Sequence, residues 1–499
     1  MSGIKKLAGQ TVWYGLSSIV ARFINYLLTP YLTLKLTTAE YGEQVLVYAF
    51  IPFMNILFTH GMETAFFRFT QNHDRKAVYN TSSISLIFSS LFLSLLLIVF
   101  HIPLAQLIKL ENNPEYLLLA ALIIGVDALS TIPFAKLRLD GKPRKFAFIK
   151  LTGIVLNVLS IYFFLSICPS IIEKNPKSIL AGIYNEEWKV GYIFVANLIQ
   201  ATVTLLLLSK EFFGFSFRFD KSVWRLMILY ALPIMLAGFG GMINETLDRI
   251  MLSWWSAAGT EEAVKAEVGI YGAVYKLSIL ITLAVQAFRM GAEPFFFNQS
   301  TSENAPRIYA RVMKFFVITL CLMFLFVMLY LDAWKLFIQN PEMWVGLKVV
   351  PILLVANIFL GIYYNLSIWY KLGNKTIAGA YITLIGAAVT LVLNYLFIPR
   401  FGYVACAWAT FACYGVMMVI SYVWGQKSYP VPYAWKKLLA YILIAVLVYF
   451  AHHFITQYFP NIWVYYSVAT VLLIIYALFI INIEKKEFKR FPVIGKFIR

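Results

Sequence analysis

Charge is what this sequence has least of: only 13% of its 499 residues are Asp, Glu, Lys or Arg, against about a quarter in soluble globular domains. Runs of strictly alternating apolar and polar residues are also missing, which excludes a β-barrel crossing of a membrane. The four cysteines, Cys168, Cys321, Cys406 and Cys413, make no CxxC pair, so a zinc ribbon or dithiol redox centre is not encoded and buried free thiols are expected. The five histidines form no HExxH or other ligand spacing; no metal or cofactor is expected. His452 and His453 close a span and read either as an interfacial pair or as a ligand or proton group. A GxxxxGK[ST] loop is absent, so ATP cannot be bound through one. Any driving force must come from an ion gradient, a substrate gradient or a partner.

What is present is apolar sequence in long pieces. The chain is 61% hydrophobic, with a mean hydropathy of +0.75, and its apolar windows are each long enough to cross about 30 Å of hydrocarbon as a helix. Fourteen are expected, near 12–34, 44–66, 82–102, 116–134, 147–168, 189–209, 226–255, 268–290, 312–331, 345–367, 376–398, 402–424, 438–456 and 462–482. The fold class is therefore an all-α integral membrane protein. The opening segment has the lysines of a signal peptide, but its apolar stretch is too long, contains Arg22 and lacks a small-x-small cleavage site. It reads as a retained first helix.

Net charge is +18, and its distribution matters more than its size. With the N-terminus placed in the cytoplasm, the excess of Lys and Arg falls on the side that holds both tails, led by "LRLDGKPRK" and "EKKEFKRF". That is the positive-inside pattern. Both termini are expected in the cytoplasm, and anionic membrane lipid is the expected partner of this surface. No interleaved aromatic and basic motif supports nucleic-acid binding.

An internal repeat organises the spans. "EYGEQVLVYAFIPFMNILFTHGMETAFFRF" from Glu40 lies on "EVGIYGAVYKLSILITLAVQAFRMGAEPFFF" from Glu267: Gly42 meets Gly269 and Tyr48 meets Tyr275. After a three-residue gap, Gly61, Glu63, Phe66 and Phe67 meet Gly291, Glu293, Phe296 and Phe297. "KLRLDGKPRKFA" also lies on "IWYKLGNKTIAG". Six spans separate the copies, so both run the same way, a parallel repeat about an axis along the membrane normal. Two six-helix bundles, 1–215 and 216–430, are expected around a cleft lined by helices one, two, seven and eight. Two extra helices and a basic tail, 431–499, stand outside the repeat.

This plan, with "GQTVWYGLSSIVARFINYLLTPYL", "AEYG", "LDRIMLSWW" followed by "VGIYGAVYKL", and "YKLGNKTIAG", resembles O-antigen-type polysaccharide flippases of the multidrug/oligosaccharidyl-lipid/polysaccharide exporter superfamily. The resemblance covers nearly the whole chain. It implies translocation of undecaprenyl-diphosphate-linked oligosaccharide from the cytoplasmic to the periplasmic leaflet of the bacterial inner membrane, for surface polysaccharide and lipopolysaccharide synthesis. It also implies a place alongside polysaccharide assembly proteins, and basic residues on helices one and eight. A cation-coupled multidrug exporter of the same superfamily is the alternative; such exporters normally stop at twelve helices. A membrane polymerase or ligase is a third reading. The longest outer loop, Pro169–Trp188, has no His or Arg to serve one, and no catalytic residues are expected.

Charges that remain inside spans normally face a cavity or a partner. Lys150 is close enough to a helix end to snorkel. Arg22 and Lys276 are the substrate candidates, because a lipid diphosphate needs compensating cations. The competing reading pairs them with Asp127 or Asp248. In "INETLDRIMLSWW", Glu245 and Arg249 are four apart and are expected to form a bridge along one helix face. Asp248 would then lack a local partner, and with Asn244 on its face it serves as an H+ or Na+ site, as a gate, or as a plain helix end. Asp127, alone on helix four, is a coupling group, a structural partner or cavity lining. Glu63 and Glu293 cap helix ends or close an inner gate, and Arg289 to Glu293 is another four-residue pair. The glycines of "AGFGG", 237–241, would permit a bend in helix seven.

Overall fold

In the computed structural model, residues 19–300, 302–373 and 375–489 are described, and all their regular structure is helical. Among the described residues, thirteen helices are long and apolar enough to cross a membrane: Thr38–Phe69, Arg75–Val99, Glu115–Leu139, Pro143–Lys174, Glu186–Leu207, Lys221–Trp255, Glu261–Phe297, Ala305–Leu329, Pro341–Leu372, Thr376–Phe401, Tyr403–Ser428, Trp435–Tyr458 and Ile462–Ile483. They correspond one to one with the second to fourteenth expected spans and keep those ordinals below. The first expected span begins outside the described residues; from residue 19 to 27 it is helical, and Thr29–Lys35 adds a short helix.

Local chemistry fixes the helix starts. Thr37 and Glu40 form a capping box, the Glu40 N–H donating to the threonine hydroxyl and the Thr37 N–H to the glutamate carboxylate, so two orphan donors of the second span are satisfied at once. Asp74 caps the third span through the Ala77 N–H, and Asp220 caps the seventh through Ser222 and Val223. The seventh span stays a continuous 35-residue helix through its glycines.

The solvent is legible on the third span. Phe88, Leu91, Phe92 and Leu95 lie on one helical face and are each more than 60% exposed, the inverse of a water-soluble helix and the face that meets lipid chains. This is a multi-pass membrane protein.

The described chain falls into two compact units. One comprises residues up to Ala273 with Ile338–Val345 and Thr383–Ala409. In it the third and fourth spans pack together, as do the fifth and sixth, and the seventh lies along the second. Met62, Phe66, Val78, Ile132, Val223 and Met227 knit one end of it. The other unit comprises Val274–Phe337, Gly346–Ile382 and the chain from Thr410 onward. Its centre is the ninth span, against which the tenth, thirteenth and fourteenth all pack. Glu484, buried at the end of the fourteenth span, ties that group together: Lys314 of the ninth span donates to it at 2.5 Å, Lys437 at 3.3 Å and the Tyr441 hydroxyl at 2.7 Å.

Candidate functional site

In the charged stretch of the seventh span Asp248 and Arg249 are buried and pair with each other. Arg249 Nη1 donates to Asp248 Oδ1 at 2.7 Å. The same atom reaches the backbone carbonyl of Glu245, while Glu245 itself is exposed. Asp248 therefore does not lack a partner. Neighbouring residues on a helix point about 100° apart, but the arginine stem is long enough to fold back over its own turn. Asp248 also accepts from the Arg249 N–H at 3.0 Å and from the Tyr271 hydroxyl of the eighth span at 2.7 Å, and Arg249 lies 5.5 Å from the Tyr271 ring centroid. One turn earlier, Asn244 donates to the Thr383 carbonyl and accepts from Thr390, both on the eleventh span. Cys406 of the twelfth span meets the Asp248 carbonyl. The result is a polar knot joining spans seven, eight, eleven and twelve.

Around that knot the second and eighth spans touch through their backbones. A methyl group at Gly42 would collide with the Lys265 carbonyl oxygen, and one at Gly269 would collide with the Thr38 carbonyl oxygen. Thr38 and Lys265 are related by the same register that matches Gly42 to Gly269. The contact is thus reciprocal, as a twofold crossing of two like helices must be, and small residues are what permit it. Beside it, Lys265 donates to Glu43 at 3.0 Å and Asn113 donates to the same carboxylate at 3.2 Å. Both ends of that ion pair are buried. Glu267 accepts from the Tyr403 N–H at 3.0 Å and from the Ser256 hydroxyl. The sequence reading passed over Glu43, Lys265 and Tyr271. Glu43 and Lys265 sit at span ends, where charge is unremarkable, and only packing shows that they are buried.

The remaining candidates divide between the two units. In the first, Arg22 and Asp127 are exposed. Asp127 and Lys150 act on each other electrostatically, and Arg22 adds to the field at Lys150. The Lys150 ammonium also lies 5.3 Å from the Phe134 ring centroid. Glu63 is salt-bridged to Arg138, whose guanidinium stacks over Phe67 at 5.0 Å. In the second unit Lys276 is half-buried. Glu293 accepts from Arg289 at 2.8 Å, the expected four-residue pair, and from Lys371 at 2.5 Å. In the register that lays "KLRLDGKPRKFA" on "IWYKLGNKTIAG", Lys371 falls one position past the mate of Arg138, and each copy ties the end of its second helix to the end of its fourth by a like ion pair. All four cysteines are buried free thiols, and among the described residues no group of His, Cys, Asp and Glu could hold a metal ion.

Residues 7–298, more than half of the chain, match the polysaccharide biosynthesis protein family. The chain belongs to that family. No curated protein matches it. Among solved structures, this family member is similar to the lipid II flippase MurJ in an inward closed conformation, with a TM-score of 0.72 at 13% identity over 94% of this chain and 99% of that one. It is also similar to an inward-facing multidrug resistance MATE family transporter of the MOP superfamily, with a TM-score of 0.62 at 13% identity over 86% and 95%. A MOP superfamily transporter from Pyrococcus furiosus, whose binding pocket is described as having reverse polarity, gives a TM-score of 0.55 at 14% identity over 84% and 95%. At these identities the likeness establishes the fold, that of MOP superfamily transporters.

Proposed function

We propose that the protein is a flippase that moves undecaprenyl-diphosphate-linked oligosaccharide from the cytoplasmic to the periplasmic leaflet of a bacterial inner membrane, with both termini in the cytoplasm. The family match carries the reading, because it ties a MOP-type transport fold to polysaccharide synthesis. The chemistry of the spans supports it: Arg22 keeps a cation exposed in the first expected span, where only a polar path or an anion would compensate its cost. In this reading Arg22 and Lys276 receive the diphosphate. The repeats 1–215 and 216–430 are the bodies that exchange access, and 431–499 lies outside the exchange. Asp248, Arg249, Glu245 and Asp127 are the groups through which H+ or Na+ would couple. Glu63 and Glu293 close the cytoplasmic ends. The protein is a transporter, not an enzyme, and assembly proteins for the polymer are its natural partners.

The test is complementation of a strain whose own flippase gene is deleted, scored by surface polymer. Arg22→Gln and Lys276→Gln should each abolish export while protein persists in the membrane. Wild-type export by both variants sinks the diphosphate assignment. Export of cationic dyes with no effect on polymer would favour the multidrug alternative.

A further inference from the structure

In the first unit a ladder of uncharged polar side chains joins the second, fifth and sixth spans. Asn157 donates to Asn197 Oδ1 at 3.1 Å. Asn197 in turn donates to the Tyr48 hydroxyl at 2.6 Å and to the Ile193 carbonyl at 2.8 Å. Gln44, one turn before Tyr48, reaches the same hydroxyl. Gln200, one turn past Asn197, lies with its stem against Gly153, one turn before Asn157. By helical rise Tyr48 and Asn197 each lie about 15 Å inside the ends of their spans, near the middle of the membrane.

Polar side chains at that depth ordinarily bind helices together, and such glue works by matching donors to acceptors. This ladder is unmatched. Gln44 Oε1, Asn157 Oδ1 and Gln200 Oε1 are buried and have no donor among the described residues, although Gln44 and Asn157 are more than nine-tenths buried as whole residues. The Tyr48 oxygen meanwhile receives the Asn197 amide N–H, which leaves its own proton to donate. The residue is 37% exposed, its ring held edge-on by Phe194 at 5.6 Å. Each undonated oxygen carries the full cost of desolvating a carbonyl until a donor arrives.

What the ladder lacks is a set of O–H donors presented beside an aromatic face. A pyranose offers both, hydroxyls around its rim and C–H groups on its face. We propose that Gln44, Tyr48, Asn157, Asn197 and Gln200 form a saccharide subsite that takes ring hydroxyls of the translocated head group. The inference rests on the flippase reading above. It assigns the recognition of sugar to uncharged residues of the first unit, separate from the cations that would meet the diphosphate. Tyr275, the repeat mate of Tyr48, is followed directly by Lys276, so the second copy sets a cation beside the position where the first sets an amide ladder.

The experiment uses the full chain in nanodiscs and native mass spectrometry with two probes: undecaprenyl diphosphate, and the same lipid carrying a hexose, an N-acetylhexosamine or a 6-deoxyhexose. Tyr48→Phe and Gln200→Met preserve shape, and thermal unfolding of each variant confirms that it folds. The wild type should bind at least one glycosylated lipid about tenfold or more tighter than the bare one, as a few good hydrogen bonds allow. Each variant should shrink that preference by about three- to tenfold and leave bare-lipid affinity unchanged. An undiminished preference in both variants, or none in the wild type across the three sugars, overturns the subsite while leaving the flippase reading standing on bare-lipid binding. Failure of every lipid to bind overturns the flippase reading itself.

Discussion

The Asp248–Arg249 pair makes a graded prediction. Both residues are buried, with side-chain exposures of 3% and 9%, and Asp248 accepts from the Arg249 side chain, the Arg249 N–H and the Tyr271 hydroxyl. Asp248→Asn leaves an arginine buried without its carboxylate, and removing one member of such a pair costs about 3–5 kcal/mol. Tyr271→Phe removes one hydrogen bond to a charged group, a loss of about 1.5–3 kcal/mol. The double change Asp248→Asn with Arg249→Met removes both charges together and should fall within about 1–2 kcal/mol of wild type, since neutral packing often replaces a buried pair at little cost. Unfolding free energies from SDS titration in mixed micelles would rank the three. The expected order is Asp248→Asn lowest, Tyr271→Phe next, and the double variant nearest to wild type. Wild-type stability of Asp248→Asn would refute the reasoning, because it would mean that the pair is not desolvated in the membrane-embedded protein. Export by the same variants then separates structure from coupling. A stable double variant that exports polymer makes the pair a structural knot; a stable one that does not makes it part of the transport cycle.

Two further outcomes follow from packing and charge. Gly42→Ala and Gly269→Ala should each force the second and eighth spans apart, since the added methyl has only backbone carbonyls to meet; cysteines introduced at 38 and 265 should lose most of their disulfide yield relative to the glycine parent, and unchanged cross-linking would show the close approach to be wrong. At Glu484, burial pushes the carboxyl up, but hydrogen bonds from Lys314 and Tyr441 and the charges of Lys314 and Lys437 outweigh it and hold the group below its ordinary value. A depressed carboxylate stabilises fully above the unfolded value, about 4.5, and loses that contribution as pH falls through the folded one. Hydrogen exchange in the fourteenth span should therefore rise below about pH 4.5 in wild type but not in Glu484→Gln, which should exchange faster at neutral pH. Equal exchange in the two at pH 7 would count against this anchor.

The membrane class and the spans are properties of the sequence alone, because each helix satisfies its backbone within itself and needs only sufficient apolar length. Thirteen of the expected segments stand where hydropathy put them. The two glycines that the expected repeat register pairs, Gly42 and Gly269, lie where the second and eighth spans touch. What the sequence did not decide is partnership. Glu245 and Arg249 sit at the favoured four-residue spacing, yet Arg249 also takes Asp248, whose carboxylate is shared by the Tyr271 hydroxyl from 23 residues away and whose backbone carbonyl meets Cys406 from 158 residues away. The Arg289–Glu293 spacing did predict a pair, but Lys371, 78 residues on, shares it. Spacing rules see one helix at a time, whereas the cost of a charge in a bundle is set by what neighbouring helices bring to it. The amide ladder shows the same thing: Gln44, Asn157 and Gln200 are unremarkable singly, and only the crossing of three helices leaves their oxygens short of donors among the described residues.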